Sequence, residues 1–107
     1  MMNERRVNQR KPVSLEAWWE SLSGRHTARV SDISLDGCFI DSTGRTEASE
    51  QIDFSVKLPD GHSLRLRGMV VSVDPKVGFG VRLIALPESE RQWRAFVVSL
   101  SADDDAP

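Results

Sequence analysis

The sequence predicts an all-β fold, with about six short strands closing into a small antiparallel barrel and one helix at the C-terminal end. Three observations predict it. Apolar and polar residues alternate with a period of two in several runs between Val13 and Leu83. Turn-forming clusters around Gly24, at Pro59-Asp60-Gly61 and at residues 75–78 interrupt those runs. After Pro87 the period changes to that of a helix, with Trp93, Phe96, Val97 and Leu100 on one stripe. A closed barrel suits so many short strands because closure leaves no exposed sheet edge.

Residues 1–11 are polar and lack periodicity, and are expected to form a flexible basic arm outside the core. Pro12 bounds the arm and biases Lys11 toward an extended conformation. The first strand places Val13, Leu15, Ala17 and Trp19 on one face and Ser14, Glu16 and Trp18 on the other. Trp18 interrupts the polar face, so it is expected to cover the barrel or to lie beside a ligand. Residues 21–26 read as a turn containing Gly24, and Ala28, Val30 and Asp32 continue as a second strand. Residues 34–37 form a tight connection in which Gly37 can take a positive φ. A short strand follows at 38–41, then a polar loop at 42–50.

Ile52, Phe54, Val56 and Leu58 make the clearest alternation in the chain, and Pro59-Asp60-Gly61 turns it into a hairpin. Leu64 and Leu66 alternate with Arg65 and Arg67 before an apolar run from 69 to 73. Gly68 falls where that alternation changes phase, as at a bulge or barrel corner. Phe79, Val81 and Leu83 form the last strand. The helix is expected over 87–100, opened by Pro87 and with Glu88 and Glu90 in its first turn, where the helix dipole favours them. Residues 101–107 are expected to be a disordered acidic tail, which leaves 12–100 as the barrel plus helix.

A length of 107 residues bounds the chain to one domain. No run of about 18 apolar residues exists, so no membrane-spanning helix is expected. The N-terminal residues lack the apolar stretch of a secretory signal, which makes the cytoplasm the expected location. Cys38 is the single cysteine, lies in an apolar run and is expected in the core. Net charge is −2, but Arg5, Arg6, Arg10 and Lys11 concentrate positive charge at one end. That placement suits a phosphate-bearing partner, although a solvated basic arm has the same composition. An enzyme is not expected. His26 and His62 are isolated from any metal-ligand spacing, and Ser34 lacks the context of an activated nucleophile. Gly78 and Gly80 do not make a dinucleotide fingerprint, because the third glycine is absent at position 83.

Two short patterns carry the chemistry. Arg6 and Arg10 form R-x-x-x-R in the arm. A guanidinium donates two hydrogen bonds to the O6 and N7 edge of guanine and also pairs bidentately with phosphate oxygens. Asp32, Ser34 and Gly37 form D-x-S-x-x-G between two strands. A carboxylate accepts from a base amino group, a hydroxyl bonds a phosphate or a base, and a glycine lets a ligand approach the backbone. Taken alone, Asp32 and Ser34 would also serve to satisfy local amides in a strand–turn–strand connection. The two patterns in this order, followed by an all-β pattern and a terminal helix, are specific.

On these residues the chain resembles the PilZ domain family, bacterial receptors for cyclic di-GMP, over about residues 5–100. The stretch Gly78-Phe79-Gly80-Val81-Arg82-Leu83 is similar to the family's G-x-G-V-x-F ending and departs from it at Leu83. The resemblance implies a six-stranded antiparallel barrel with a C-terminal helix. It implies a cyclic di-GMP site at Arg6, Arg10, Asp32, Ser34 and Gly37, and Arg5, just before the motif, offers a third guanidinium. The ligand would be cyclic di-GMP, with no cofactor, no metal and no catalytic residue. The output would pass to an unidentified downstream protein, from a monomer or weak homodimer, by ordering of the arm. The alternative is a ligand-independent interaction module on the same fold. Nucleic-acid binding through the arm is the weakest reading, because single-strand binders need an aromatic platform and only Trp18 offers a ring.

Overall fold

The computed structural model describes residues 10–21, 24–84 and 87–105. Six strands form a closed barrel: β1 (Lys11–Ser21), β2 (Gly24–Ser34), β3 (Gly37–Asp41), β4 (Gln51–Lys57), β5 (Ser63–Asp74) and β6 (Gly78–Ile84). A helix, α1 (Pro87–Asp105), follows. The order around the barrel is β1-β2-β3-β6-β5-β4, and every neighbouring pair is antiparallel. Closure comes from β1 pairing with β4, with Trp19 opposite Phe54 and Ala17 opposite Val56. Because side chains alternate across a strand, that register sends Trp19, Phe54 and Val56 together into the interior.

The interior is filled by the residues whose alternation predicted the strands. Leu15, Ala17, Trp19, Val30, Ile52, Phe54, Val56, Leu64, Leu66, Phe79 and Val81 are all buried. At one end of the barrel Trp19 stacks on His26 with ring centroids 4.4 Å apart, and its Nε1–H donates to Ser42 Oγ at 2.9 Å. At the other end lie the β2–β3 turn, the β4–β5 hairpin and α1. The helix lays Trp93 and Val97 into the core, with Phe96 and Leu100 packed at its margin.

Several boundaries differ from the sequence expectation. Lys11 belongs to β1, not to the arm: it pairs with Ile33 and is buried. The turn around Gly24 is tighter than expected, so that His26 and Thr27 are already in β2. The register shift in β5 falls between Val70 and Ser72 and not at Gly68. Gly68 is instead a close-packing position, where a Cβ would lie 3.2 Å from Phe54 Cε1 and from the Arg82 carbonyl oxygen. The helix continues to Asp105, so residues 101–105 extend it where a disordered tail was expected. The arm expected at residues 1–9 lies outside the described residues.

At Gly78 a Cβ would run into the Ile40 carbonyl oxygen and sit 2.9 Å from Asp41 Cα. Backbone on both sides leaves no flexible atom to yield. Gly78→Ala is therefore expected to destabilise the fold by about 1–3 kcal/mol, the usual cost of overpacking. Urea unfolding should show a lower midpoint for this variant, while Ser55→Ala on the outer face of β4 stays near the parent.

Candidate functional site

Arg10 of the first pattern meets Asp32 of the second on the outer wall of the barrel. Lys11 pairs with Ile33 and Pro12 with Asp32, so the chain just before β1 runs alongside the end of β2. Arg10 Nη1 donates to Asp32 Oδ1 at 2.6 Å. Both groups stay open to solvent, with side chains 55% and 30% exposed. An exposed pair of this kind contributes only about 0–1 kcal/mol to stability. It therefore marks where a ligand's donors and acceptors can enter without disturbing the core.

Ser34 and Gly37 do other work. Ser34 is buried, and its Oγ donates to Asp36 Oδ1 at 2.8 Å within the same turn. Gly37 opens β3 and is not among the positive-φ glycines, which among the described residues are Gly24 and Gly61. Its lack of a side chain is required because a Cβ there would strike the Val81 carbonyl oxygen of β6. The Leu83 N–H donates to the Asp36 carbonyl at 2.8 Å and ties the turn to β6. The expectation that Gly37 takes a positive φ is thus corrected, and close approach to β6 is the reason for glycine.

One residue of this assembly was not singled out as a site residue. Trp93 of α1 is fully buried and donates its indole Nε1–H to the Ser34 carbonyl oxygen at 2.8 Å. The helical stripe marked Trp93 as core, and a buried indole N–H needs an acceptor. Nothing in the chain's local pattern could say that the acceptor lies 59 residues earlier.

The other candidates fall elsewhere. Arg5 and Arg6 lie outside the described residues. Trp18 is half-buried and lines a concavity of about 630 Å³ together with Thr27, Arg29, Asp41 and Thr43, and neither Asp32 nor Arg10 is part of its wall. Cys38 is buried beneath the Asp32 strand end. Burial pushes its thiol far above the ordinary range, with the Asp32 charge adding to the shift and the Arg10 guanidinium opposing it. A thiol held in that form is a core group and not a nucleophile. His62 and Asp60 pair at the fully exposed β4–β5 hairpin, with Nδ1 and Oδ2 3.0 Å apart. Among the described residues no helix is long and apolar enough to cross a membrane.

Residues 4–99 match the PilZ domain family in sequence. The chain belongs to that family. Members of the PilZ family are generally cyclic di-GMP receptors, and its domains are ligand-binding or adaptor modules rather than enzymes. Comparison with curated proteins returns no match. Among solved structures, the barrel is similar to the Bacillus subtilis inhibitor of motility (MotI/DgrA), with a TM-score of 0.74 at 14% identity over 92% of this chain. The chain spans about half of that protein, 52% of its length. It is also similar to the PilZ domain of CeSA from a cellulose-synthesising bacterium, with a TM-score of 0.66 at 18% identity, covering 87% of this chain and 98% of that one. At these identities the likeness is one of fold.

Two outcomes follow from the site's surroundings. Trp93→Phe keeps the ring but removes the donor, leaving the Ser34 carbonyl buried and unpaired. An unsatisfied buried acceptor costs about 1–3 kcal/mol, so thermal or urea unfolding should show a clear loss for this variant. The Asp60 hydrogen bond and charge raise the His62 pKa above 6.5, and the bond to His62 lowers that of Asp60. The ion pair accordingly exists between the lowered Asp60 value and the raised His62 value, and is lost outside that window at either end. An NMR titration should place His62 above 6.5 in the parent and back near it in Asp60→Asn.

Proposed function

We propose that this protein is a cyclic di-GMP receptor whose site is formed by Arg5, Arg6, Arg10, Asp32, Ser34 and Gly37, and that it signals to a partner protein. The observation that carries this reading is the Arg10–Asp32 contact, which joins the two family motifs on an open outer face of the barrel. Chemically, the pair matches guanine. Asp32 accepts from the base's amino edge, and a guanidinium donates to O6 and N7 or to phosphate. A guanidinium carries five N–H donors, so Arg10 has donors left for a ligand while it holds Asp32. The Ser34 hydroxyl spends its proton on Asp36, so it can accept from a ligand N–H as it stands but can donate to a ligand only by giving up Asp36.

The output in this reading is a composite surface. Arg10 sits at the point where the chain enters β1, and Arg5 and Arg6 precede it in sequence. A ligand held by these arginines and by Asp32 fastens the N-terminal segment to the barrel wall, and the partner reads segment, ligand and wall together. The cytoplasm, where the messenger is made and degraded, is the compartment this role requires. The rival reading is a ligand-independent interaction module. What favours it is that Ser34 and Gly37 have structural roles in the turn, so that their presence alone does not demand a ligand.

Calorimetric titration with cyclic di-GMP, beside an oligonucleotide, separates the readings. Charge-assisted hydrogen bonds contribute about 1.5–3 kcal/mol each. Arg6→Ala, Arg10→Ala and Asp32→Ala are each expected to weaken cyclic di-GMP binding by roughly 10- to 150-fold, while Arg91→Ala on α1 leaves it unchanged. Two ligands per chain are expected, falling toward one in Arg5→Ala. Trypsin cleavage at Arg5, Arg6 and Arg10 should slow with saturating ligand, while hydrogen exchange in β4 changes little. Equal affinity of Arg10→Ala and the parent would overturn the site, and binding of the oligonucleotide alone would overturn the function.

A further inference from the structure

We infer that Arg82 is a further ligand-contacting residue of this site, donating to the edge of a guanine that lies against Phe39; this deepens the receptor reading and rests on it. The motifs do not assign Arg82, because the family's strand pattern specifies no residue type at that position. The assignment comes from the register of four strands. Asp32 pairs with Phe39, Phe39 with Gly80, and Gly80 with Ser72. Two rows below, Gly37 pairs with Arg82 and Arg82 with Met69. The row between them, Ile33, Cys38, Val81 and Val70, is buried. Alternation therefore puts Asp32, Phe39, Gly80 and Arg82 on the same outer face.

That face carries one partly open aromatic ring, Phe39, between Asp32 and Arg82. Phe39 is half-buried, and Gly80 beside it has no side chain. A Cβ at Gly80 would lie 2.8 Å from Ser72 Oγ and 3.8 Å from Phe39 Cδ1, so the Ser72 hydroxyl covers this buried glycine and Phe39 is the apolar surface beside it. Val71, with its Cγ2 4.0 Å from the same Cβ position, is 50% exposed. Asp32, with Arg10 on it, stands on the β2 side of Phe39 and Arg82 on the β6 side. Strands about 4.8 Å apart with a rise of about 3.3 Å per residue put the Arg82 and Asp32 backbones roughly 12 Å apart, within the reach of two long side chains and a ligand carrying two bases.

The charge on Arg82 is uncommitted. It is exposed and makes no hydrogen bond or ion pair among the described residues, whereas Arg65 and Arg67 on β5 both face Asp53. A guanidinium without a carboxylate, one strand from the turn that carries the second motif, keeps its whole fork for an incoming acceptor pair. Guanine supplies that pair as O6 and N7. In this arrangement Arg10 and Asp32 hold one guanine of the bound ligand, and Arg82 holds another against Phe39.

The test is calorimetry of the full chain with cyclic di-GMP, comparing the parent with Arg82→Ala, Arg82→Lys and the helix control Arg94→Ala. Arg82 is exposed, so melting temperatures should match across the set and separate binding from folding. The expected result is a loss of about tenfold or more for Arg82→Ala, corresponding to about 1.4 kcal/mol, with Arg94→Ala unchanged. Arg82→Lys should stay weak as well, because an ammonium keeps the charge but lacks the planar fork. Parent-like affinity in Arg82→Ala overturns the inference while leaving the receptor reading intact. Parent-like affinity in Arg82→Lys overturns the guanine contact, since charge alone then suffices. If the parent itself does not bind, the receptor reading fails and this inference fails with it.

Discussion

The β2–β3 turn is the constraint on which the site depends. Three contacts from distant parts of the chain hold it: the Trp93 indole on the Ser34 carbonyl, the Leu83 amide on the Asp36 carbonyl, and Gly37 packed against Val81. Together they set the direction in which β2 leaves the turn, and with it the face on which Asp32 stands. The register of β1 against β2 then delivers Arg10 to Asp32. A turn held from the helix and from β6 at once has little freedom to shift. The face beside it is therefore firmly held and carries the partly exposed Arg10–Asp32 pair.

This division of labour explains why the motif residues behave so differently. Ser34 and Gly37 are buried in the turn's own architecture, whereas Asp32 and Arg10 form a weak exposed pair. Breaking the Arg10–Asp32 pair costs little, because an ion pair open to solvent contributes only about 0–1 kcal/mol. Replacing the contacts of the turn would cost far more, because each is a buried hydrogen bond or a close backbone approach. The helix also belongs to this arrangement. Through Trp93 it bears directly on the turn that carries Ser34 and Asp36.

The similarity to two PilZ structures at 14% and 18% identity shows how little of this fold rests on particular residues. Alternation, closure and a helical lid suffice for the barrel. What such a fold binds is decided by the few side chains on its surface, and those are properties of this chain alone. The outer face of β2, β3 and β6, with the entry to β1 beside it, is where this chain has gathered Arg10, Asp32, Phe39 and Arg82.

The strand pattern, the hairpin turns and the helical stripe were all legible in the sequence, because period-two and period-3.6 alternation are local consequences of burying one face. The motifs were legible as residue types, and so was the core position of Trp93 and Cys38. Strand ends were not, since Lys11 reads as the tail of a basic arm until its register with Ile33 buries it. The reason for Gly37 was misread for the same cause: its steric demand comes from Val81, a strand partner that local pattern cannot supply. The pairing of Arg10 with Asp32, the indole bond from Trp93 to Ser34 and the alignment of Arg82 with Gly37 were decided by the tertiary structure alone. Each joins residues far apart in the chain, and only the order and register of strands around a closed barrel bring them within reach.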